Sequence, residues 1–201
     1  MYLYGASGHG KVIIEILEKA GQKVEGIFDD NTAISHLLEY GVTPFPGAFD
    51  PLKNELILSI GNNTIRKKIS LQLKTNYGKA VHPFTSISDR SQLGQGSVVM
   101  AGVVINADAT IGEHSIINTN ASIDHDCRLG DFVHISPNAA LCGNVEVGEG
   151  THIGAGAVII PGITIGKWCH VGAGSVVIRN IPDHSTAVGN PSKIIKTNLF
   201  I

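Results

Sequence analysis

One histidine stands apart from the other eight by its neighbours. His125 lies in the string SIDHDC, between Asp124 and Asp126. An imidazole beside a carboxylate can act as a general base, because the acid orients the ring and supports its protonated form. Eighteen residues further on stands Gly143, a position with no side chain and an amide N–H that a ligand can approach closely. The same pattern also fits a solvated histidine on a polar surface, and the spacing alone leaves both readings open.

A second group of polar residues follows three apolar runs near the amino terminus. "GASGHG" places Ser7, Gly8, His9 and Gly10 in a glycine-rich loop, "FDDN" ends a run with Asp29 and Asp30, and "SIGNN" ends another with Asn62 and Asn63. A glycine-rich loop that enters a helix presents unpaired N–H groups, a natural cradle for a diphosphate. Its glycines do not follow G-x-G-x-x-G, which argues against NAD.

The remaining histidines and the cysteines carry less. His134, His152 and His170 are eighteen apart and are expected to stack at one polar corner; His36, His114 and His184 are expected at the surface, and His82, before Pro83, in a structural junction. No two histidines are five residues apart, and Cys127, Cys142 and Cys169 lack metal-ligand spacing, so no metal is expected. Cys142 adjoins Gly143 but has no base placed to activate it.

The elements that must position these groups come in two styles. From Ile87, cutting every six residues yields sixteen hexads without a gap, from ISDRSQ to VIRNIP, and each begins with Ile, Leu or Val. The fifth place is small or β-branched throughout, from Ser91 and Ser97 to Ile181, and takes in Cys127 and Cys169 as buried thiols. Hexads of this kind predict a parallel β-helix of three strands per coil and about five coils. Residues eighteen apart then lie on neighbouring coils, about 4.8 Å from each other. His125 takes the third, outward place of its hexad, and Gly143 falls directly above it.

Residues 1–84 read as a separate domain. A strand at Tyr2–Tyr4 leads through the glycine-rich loop to a helix from about Lys11 to Ala20, with Val12, Ile13, Ile16 and Leu17 facing inward. Strands at "KVEGIFDDN" and "NELILSIGNN" follow, then a helix at "TIRKKISLQLK" with Asn63 or Thr64 as its N-cap. The order β, α, β, α, β, α predicts a small Rossmann-like parallel sheet whose ligands bind at the carboxyl ends of its strands. The three polar tips then converge on one crevice, and residues 85–201 form the β-helix with its tail.

Composition narrows the function. A net charge of −2 and 5% aromatic residues give neither the basic field nor the stacking platforms of a nucleic-acid binder. No run is apolar and long enough to span a bilayer, and three unpatterned cysteines suit a reducing, cytoplasmic setting.

Five stretches together carry a resemblance: "YGASGHGKV", "FDDN", "IGNNTIRKKI", "INTNASIDHDCRLGDFVHISPNAALCGNVEVGEGTHIGAGAVI" and "AVGNPSKII". The chain resembles the sialic-acid O-acetyltransferase-like (NeuD/PglD type) hexapeptide acyltransferases, especially those of the UDP-N-acetylbacillosamine N-acetyltransferase kind. The resemblance implies a left-handed β-helix and acetyl-CoA as co-substrate. It implies a homotrimer with acetyl-CoA between neighbouring helices, and a UDP-linked 4-amino-4,6-dideoxy sugar as acceptor. It implies His125 as general base held by Asp126, His134 against the thioester region, and Gly143 donating its N–H to the thioester carbonyl. Ala155 and Ala173 are implied to line the pantetheine groove, and Lys193, in "VGNPSK", to meet CoA phosphates. An O-acetyltransferase acting on a sugar or sialic acid, or a β-helix binding module without turnover, are the alternatives.

Overall fold

The computed structural model describes residues 1–47 and 49–197. The front domain begins with β1 (Tyr2–Tyr4), α1 (Gly8–Lys19) and β2 (Gly26–Phe28). It continues with β3 (His36–Leu37), β4 (Tyr40–Thr43), β5 (Glu55–Leu58), α2 (Asn63–Gln72) and β6 (Asn76–Tyr77). Its sheet has the order β3-β4-β2-β1-β5-β6, parallel except where β3 meets β4. The helix expected between the second and third parallel strands is absent from the described residues. Gly41 and the prolines at 44, 46 and 51 interrupt any helical period there, and the chain forms β3 and β4 instead.

Two smaller corrections concern the helices. Helix α1 starts at Gly8, ahead of Lys11, and buries Ile14 where Val12 was expected; Val12 is 37% exposed. Helix α2 is capped by Asn62, whose side chain accepts the Ile65 N–H at 3.0 Å. Asn62 is the last extended residue before the helix, so the cap falls one position earlier than the sequence suggests.

From β7 (Ala80–Val81) onward, two-residue strands alternate with four-residue turns. β7 already pairs with Val98–Val99, so the solenoid's first strand precedes residue 85. The strands build three parallel faces of a left-handed β-helix with an eighteen-residue register. Hexad-leading residues and fifth-place residues, Ile105, Ala109, Ile123, Cys127, Val145 and Cys169 among them, are fully or almost fully buried and form one continuous core. The residue preceding each hexad points outward, and these residues give each face a character. Face one carries Ala80, Val98, Ile116, His134, His152 and His170; face two carries Ser86, Val104, Ser122, Ala140, Val158 and Val176; face three carries Gln92, Thr110, Arg128, Glu146 and Thr164. The last coil ends at Ser185–Val188, against which Lys193–Thr197 turns back antiparallel.

The front domain docks on face one and on the edge between faces three and one. Ile13, Ile16 and Leu17 of the α1 segment join Ala80, Val98, Met100 and Ile116 in one apolar cluster. Along that edge the fourth place of successive hexads holds His114, Phe132, Gly150 and Trp168, all with positive φ. His114 is buried beneath Tyr77 and stacks on Phe132, with ring centroids 5.1 Å apart, so it is no surface residue. Lys67 of α2 lies over Trp168 and pairs with Glu149.

Candidate active site

His125 lies in the turn between faces two and three. Its Nδ1–H faces Asp126 Oδ2 at 2.7 Å, and its backbone N–H donates to Asp124 Oδ1 at 2.8 Å. Asp126 reaches the ring because it takes the left-handed backbone conformation, φ 60°, that each turn requires at its fourth place. With Nδ1 engaged, Nε2 keeps its lone pair for a proton. The ring lies over Gly143: a Cβ built there would sit 2.6 Å from His125 Cε1 and 2.7 Å from Nε2. The Gly143 N–H donates to no group among the described residues, whereas the neighbouring Cys142 and Asn144 N–H groups are both engaged. An amide donor without a protein acceptor and an imidazole lone pair are therefore neighbours, the two groups needed to steady an oxyanion while removing a proton.

The hydrogen bond that His125 donates to Asp126, and the charge of Asp124, raise the His125 pKa above its ordinary value. A base must be deprotonated to work, so activity falls as the pH drops through that raised pKa. Asp126→Asn is expected to move the acid limb of the kcat/KM profile toward lower pH and to cut the rate at neutral pH by roughly tenfold or more. An unshifted limb would detach Asp126 from the ring. Gly143→Ala is expected to displace the imidazole and cost a similar factor while the melting temperature holds, measured side by side with wild type.

The front-domain tips lie at one sheet edge. Because β1 is central, the loop after it has the β2 tip on one side and the β5 tip on the other. Asp29 Oδ2 accepts the Ala6 N–H at 2.7 Å, its Oδ1 accepts from Asn31, and Asp30 accepts from the Tyr4 hydroxyl at 2.6 Å. Gly5 and Gly10 are packing glycines: a Cβ at either would come within 3.0 Å of backbone oxygen. Gly8 meets open space, and Ser7 is exposed with its side chain unused as a cap. His9 is partly buried, with Nε2 unpaired among the described residues, and burial with the nearby Arg66 charge lowers its pKa to about 4.

The side chains of Asn62 and Asn63, expected at a ligand-facing tip, are engaged with protein groups. Asn62 is spent as the α2 cap, and the Asn63 amide donates to Gly150 O at 3.0 Å while its oxygen accepts from Arg66. The tip of β5 abuts the solenoid, which the sequence does not reveal, and Asn63 stitches the domains together.

His134 lies on flat face one, not at a corner. It stacks on His152 with centroids 4.6 Å apart, and Asn118 approaches its Nε2 at 3.2 Å. Burial, then the neighbouring His152 and Arg66, lower its pKa to about 3. Ser136 bonds His152, and His170 is exposed. Ala155 and Ala173 are exposed on the edge between faces one and two. Lys193 lines a pocket of ≈ 280 Å³ with Arg179, Asn180 and Ser192. Arg179 stands on the His125–Gly143 line two coils above Gly143, an address the repeat provides. No group of three or more metal-ligating side chains occurs among the described residues.

Known proteins share both halves. Residues 1–73 match the family described as PglD N-terminal domain, and residues 126–160 and 144–179 match bacterial transferase hexapeptide repeats. UDP-N-acetylbacillosamine N-acetyltransferase of Bacillus subtilis (strain 168) is 41% identical over 108 residues, 49% of this chain and 50% of that protein. The match thus spans about half the length of that curated relative. PerB from Caulobacter crescentus, solved with CoA and GDP-perosamine, superposes with a TM-score of 0.89 at 40% identity, covering 97% of this chain and 96% of that one. The acetyltransferase domain of PglB from Neisseria gonorrhoeae FA1090, solved with acetyl coenzyme A, gives 0.90 at 36% identity, covering 96% and 98%. With the front domain, the uninterrupted hexads and whole-chain similarity at this identity all agreeing, the chain belongs to the PglD-type family of hexapeptide-repeat acyltransferases.

Proposed function

We propose that this chain transfers the acetyl group of acetyl-CoA to the 4-amino group of a UDP-linked 4-amino-4,6-dideoxy sugar. The observation that carries the reading is the His125–Asp126 pair set over the unpaired Gly143 N–H. The amine attacks the thioester carbonyl, and its proton passes to His125 Nε2 while Asp126 supports the imidazolium. The carbonyl oxygen gains charge against the Gly143 N–H. Collapse of the tetrahedral intermediate breaks the C–S bond, and the CoA thiolate takes the proton from the imidazolium. No covalent enzyme intermediate is needed. The named relatives acting on or holding UDP- and GDP-linked sugars support a nucleotide-linked acceptor, placed against the loop from Ser7 to Gly10 with Asp29 and Asp30 at the ribose end. Lys193, with Arg179 on the His125 edge, provides cations for CoA phosphates, and the edge between faces one and two that holds Ala155 and Ala173 lines the pantetheine from a neighbouring copy.

A homotrimer belongs to the same proposal. His125 occupies the edge between faces two and three, whereas the front domain of the same chain covers face one and the edge between faces three and one. The crevice and the base therefore sit on different edges of one prism, and a neighbouring copy supplies the missing half. Face two favours such packing: its outward residues are small or apolar, with Val104 36% and Val158 37% exposed. Because the contact would bury an unpaired charge, Val158→Arg is expected to give a folded monomer by light scattering, with turnover reduced at least ~100-fold by loss of the shared site. A fully active monomer would refute the shared site.

The direct test is thiol release from acetyl-CoA with UDP-, GDP- and dTDP-linked 4-amino sugars and free sialic acid, with product masses recorded. Turnover of the UDP sugar with a gain of one acetyl group is expected. Turnover of sialic acid alone would make the enzyme an O-acetyltransferase, and no turnover at all would favour a binding module.

A further inference from the structure

Arg66 is placed where a helix disfavours it. It sits in the first turn of α2, whose positive end repels a cation, and it is 1% exposed. All five of its N–H bonds are used. Nε donates to His114 O (2.8 Å), Nη1 to Ile60 O (2.9 Å) and Gly61 O (3.3 Å), and Nη2 to Asn63 Oδ1 (2.8 Å) and Phe132 O (3.0 Å). Every acceptor is neutral, and no carboxylate lies within ion-pair distance among the described residues. Burial lowers its pKa only to about 9, so it is charged at neutral pH.

A buried cation without a counter-ion is costly, and carbonyl dipoles hold the charge without cancelling it. If Arg66 were needed only to join the domains, a neutral donor would avoid that cost. The surroundings add to the charge: neither α1 nor α2 carries an acidic residue in its first turn, so no carboxylate offsets the positive end of either helix at this sheet edge. The strand order then sets a gradient across the crevice. Asp29 and Asp30 stand at the β2 tip, the uncapped N-terminus of α1 follows β1, and Arg66 lies behind the β5 tip at Ile60–Gly61.

We propose that Arg66 is a positioning residue that selects and orients the diphosphate of the nucleotide-linked substrate. It acts through its field, since the Ile60 and Gly61 carbonyls separate it from the crevice. Buried surroundings leave that field less screened than in water. The phosphates are drawn to the β5 side and the ribose hydroxyls to Asp29 and Asp30, so the sugar emerges toward the solenoid. This rests on the nucleotide reading above.

Calorimetry with UDP and with uridine separates a field from a staple, since the domain packing affects both ligands and the charge only one. Arg66→Gln is expected to weaken UDP by roughly tenfold to a hundredfold and uridine hardly at all. Arg66→Lys, which keeps the charge but loses the fork, is expected to hold the ratio of the two affinities near wild type. Equal loss of both ligands in Arg66→Gln, or unchanged UDP affinity, would overturn the proposal. If Arg66→Gln does not fold, a collapsed ratio in Arg66→Lys would do the same. A wild type that binds neither UDP nor GDP would instead remove the nucleotide reading itself.

Discussion

Replacing His125 with alanine is expected to lower kcat by about 10²- to 10⁴-fold, the contribution usual for a positioned general base, while the affinity for acetyl-CoA changes little. The side chain is 60% exposed and makes its one side-chain hydrogen bond to Asp126, so its removal leaves the coil intact. Loss of rate without loss of fold distinguishes this histidine from His134 and His152, whose rings are packed. Stopped-flow thiol release under saturating substrates gives kcat, and calorimetry gives the acetyl-CoA affinity. Turnover within threefold of wild type would remove His125 from the chemistry and leave the Gly143 N–H and binding alone to explain catalysis.

The second large effect concerns acid. His9 and His114 have pKa values lowered to about 4 and His134 to about 3, chiefly by burial, with the Arg66 charge adding to each. Asp131 works in the other direction at His114. In the unfolded chain these rings titrate near the ordinary 6.5. Below that pH the unfolded state takes up protons that the folded state refuses. Stability is therefore complete above about pH 6.5 and falls as pH drops toward 4, by about 1.4 kcal/mol per pH unit for each histidine. All three lie where the front domain meets face one and its edge, so the seam is expected to open before the solenoid core. Trp168, the single tryptophan, packs under Lys67 at that seam. Its fluorescence is expected to shift between pH 6.5 and 5 while strand circular dichroism holds. A urea midpoint unchanged between pH 7.5 and 5 would mean that these rings are neither buried nor held neutral.

What the sequence discloses depends on how local each constraint is. The hexad period binds every coil to the next by the same register, so the face or turn of nearly every solenoid residue, and the meeting of His125 with Gly143, follow from counting. His134 lies on a face and not at the expected corner because the residue before each hexad belongs to a strand, not a turn. In the front domain, Asn62 and Asn63 have the composition of a ligand-facing tip. Their real partners, Ile65 N–H and the Gly150 carbonyl, include one 87 residues away that no local pattern indicates. Arg66, Lys67 and Lys68 are three consecutive cations in the sequence, and only the docked fold buries the first. A signal for the docking edge was nevertheless present. The fourth place of a hexad turn demands positive φ and favours glycine, asparagine or aspartate, yet His114, Phe132 and Trp168 occupy it. Bulky residues at such a position mark the edge that another domain covers.

The reversed strand at Lys193–Thr197 has a consequence for how many coils the molecule contains. A parallel solenoid never closes on itself: its final coil offers unpaired N–H and C=O groups to any chain able to continue the ladder. Nothing in a six-residue repeat specifies a last unit. By running antiparallel to Ser185–Val188, and by presenting Lys193 and Lys196 along the new border, the tail gives that ladder a strand of the wrong direction and a charged rim. It acts as a chain terminator, so the interior can gain or lose a whole eighteen-residue coil while growth at the end remains blocked.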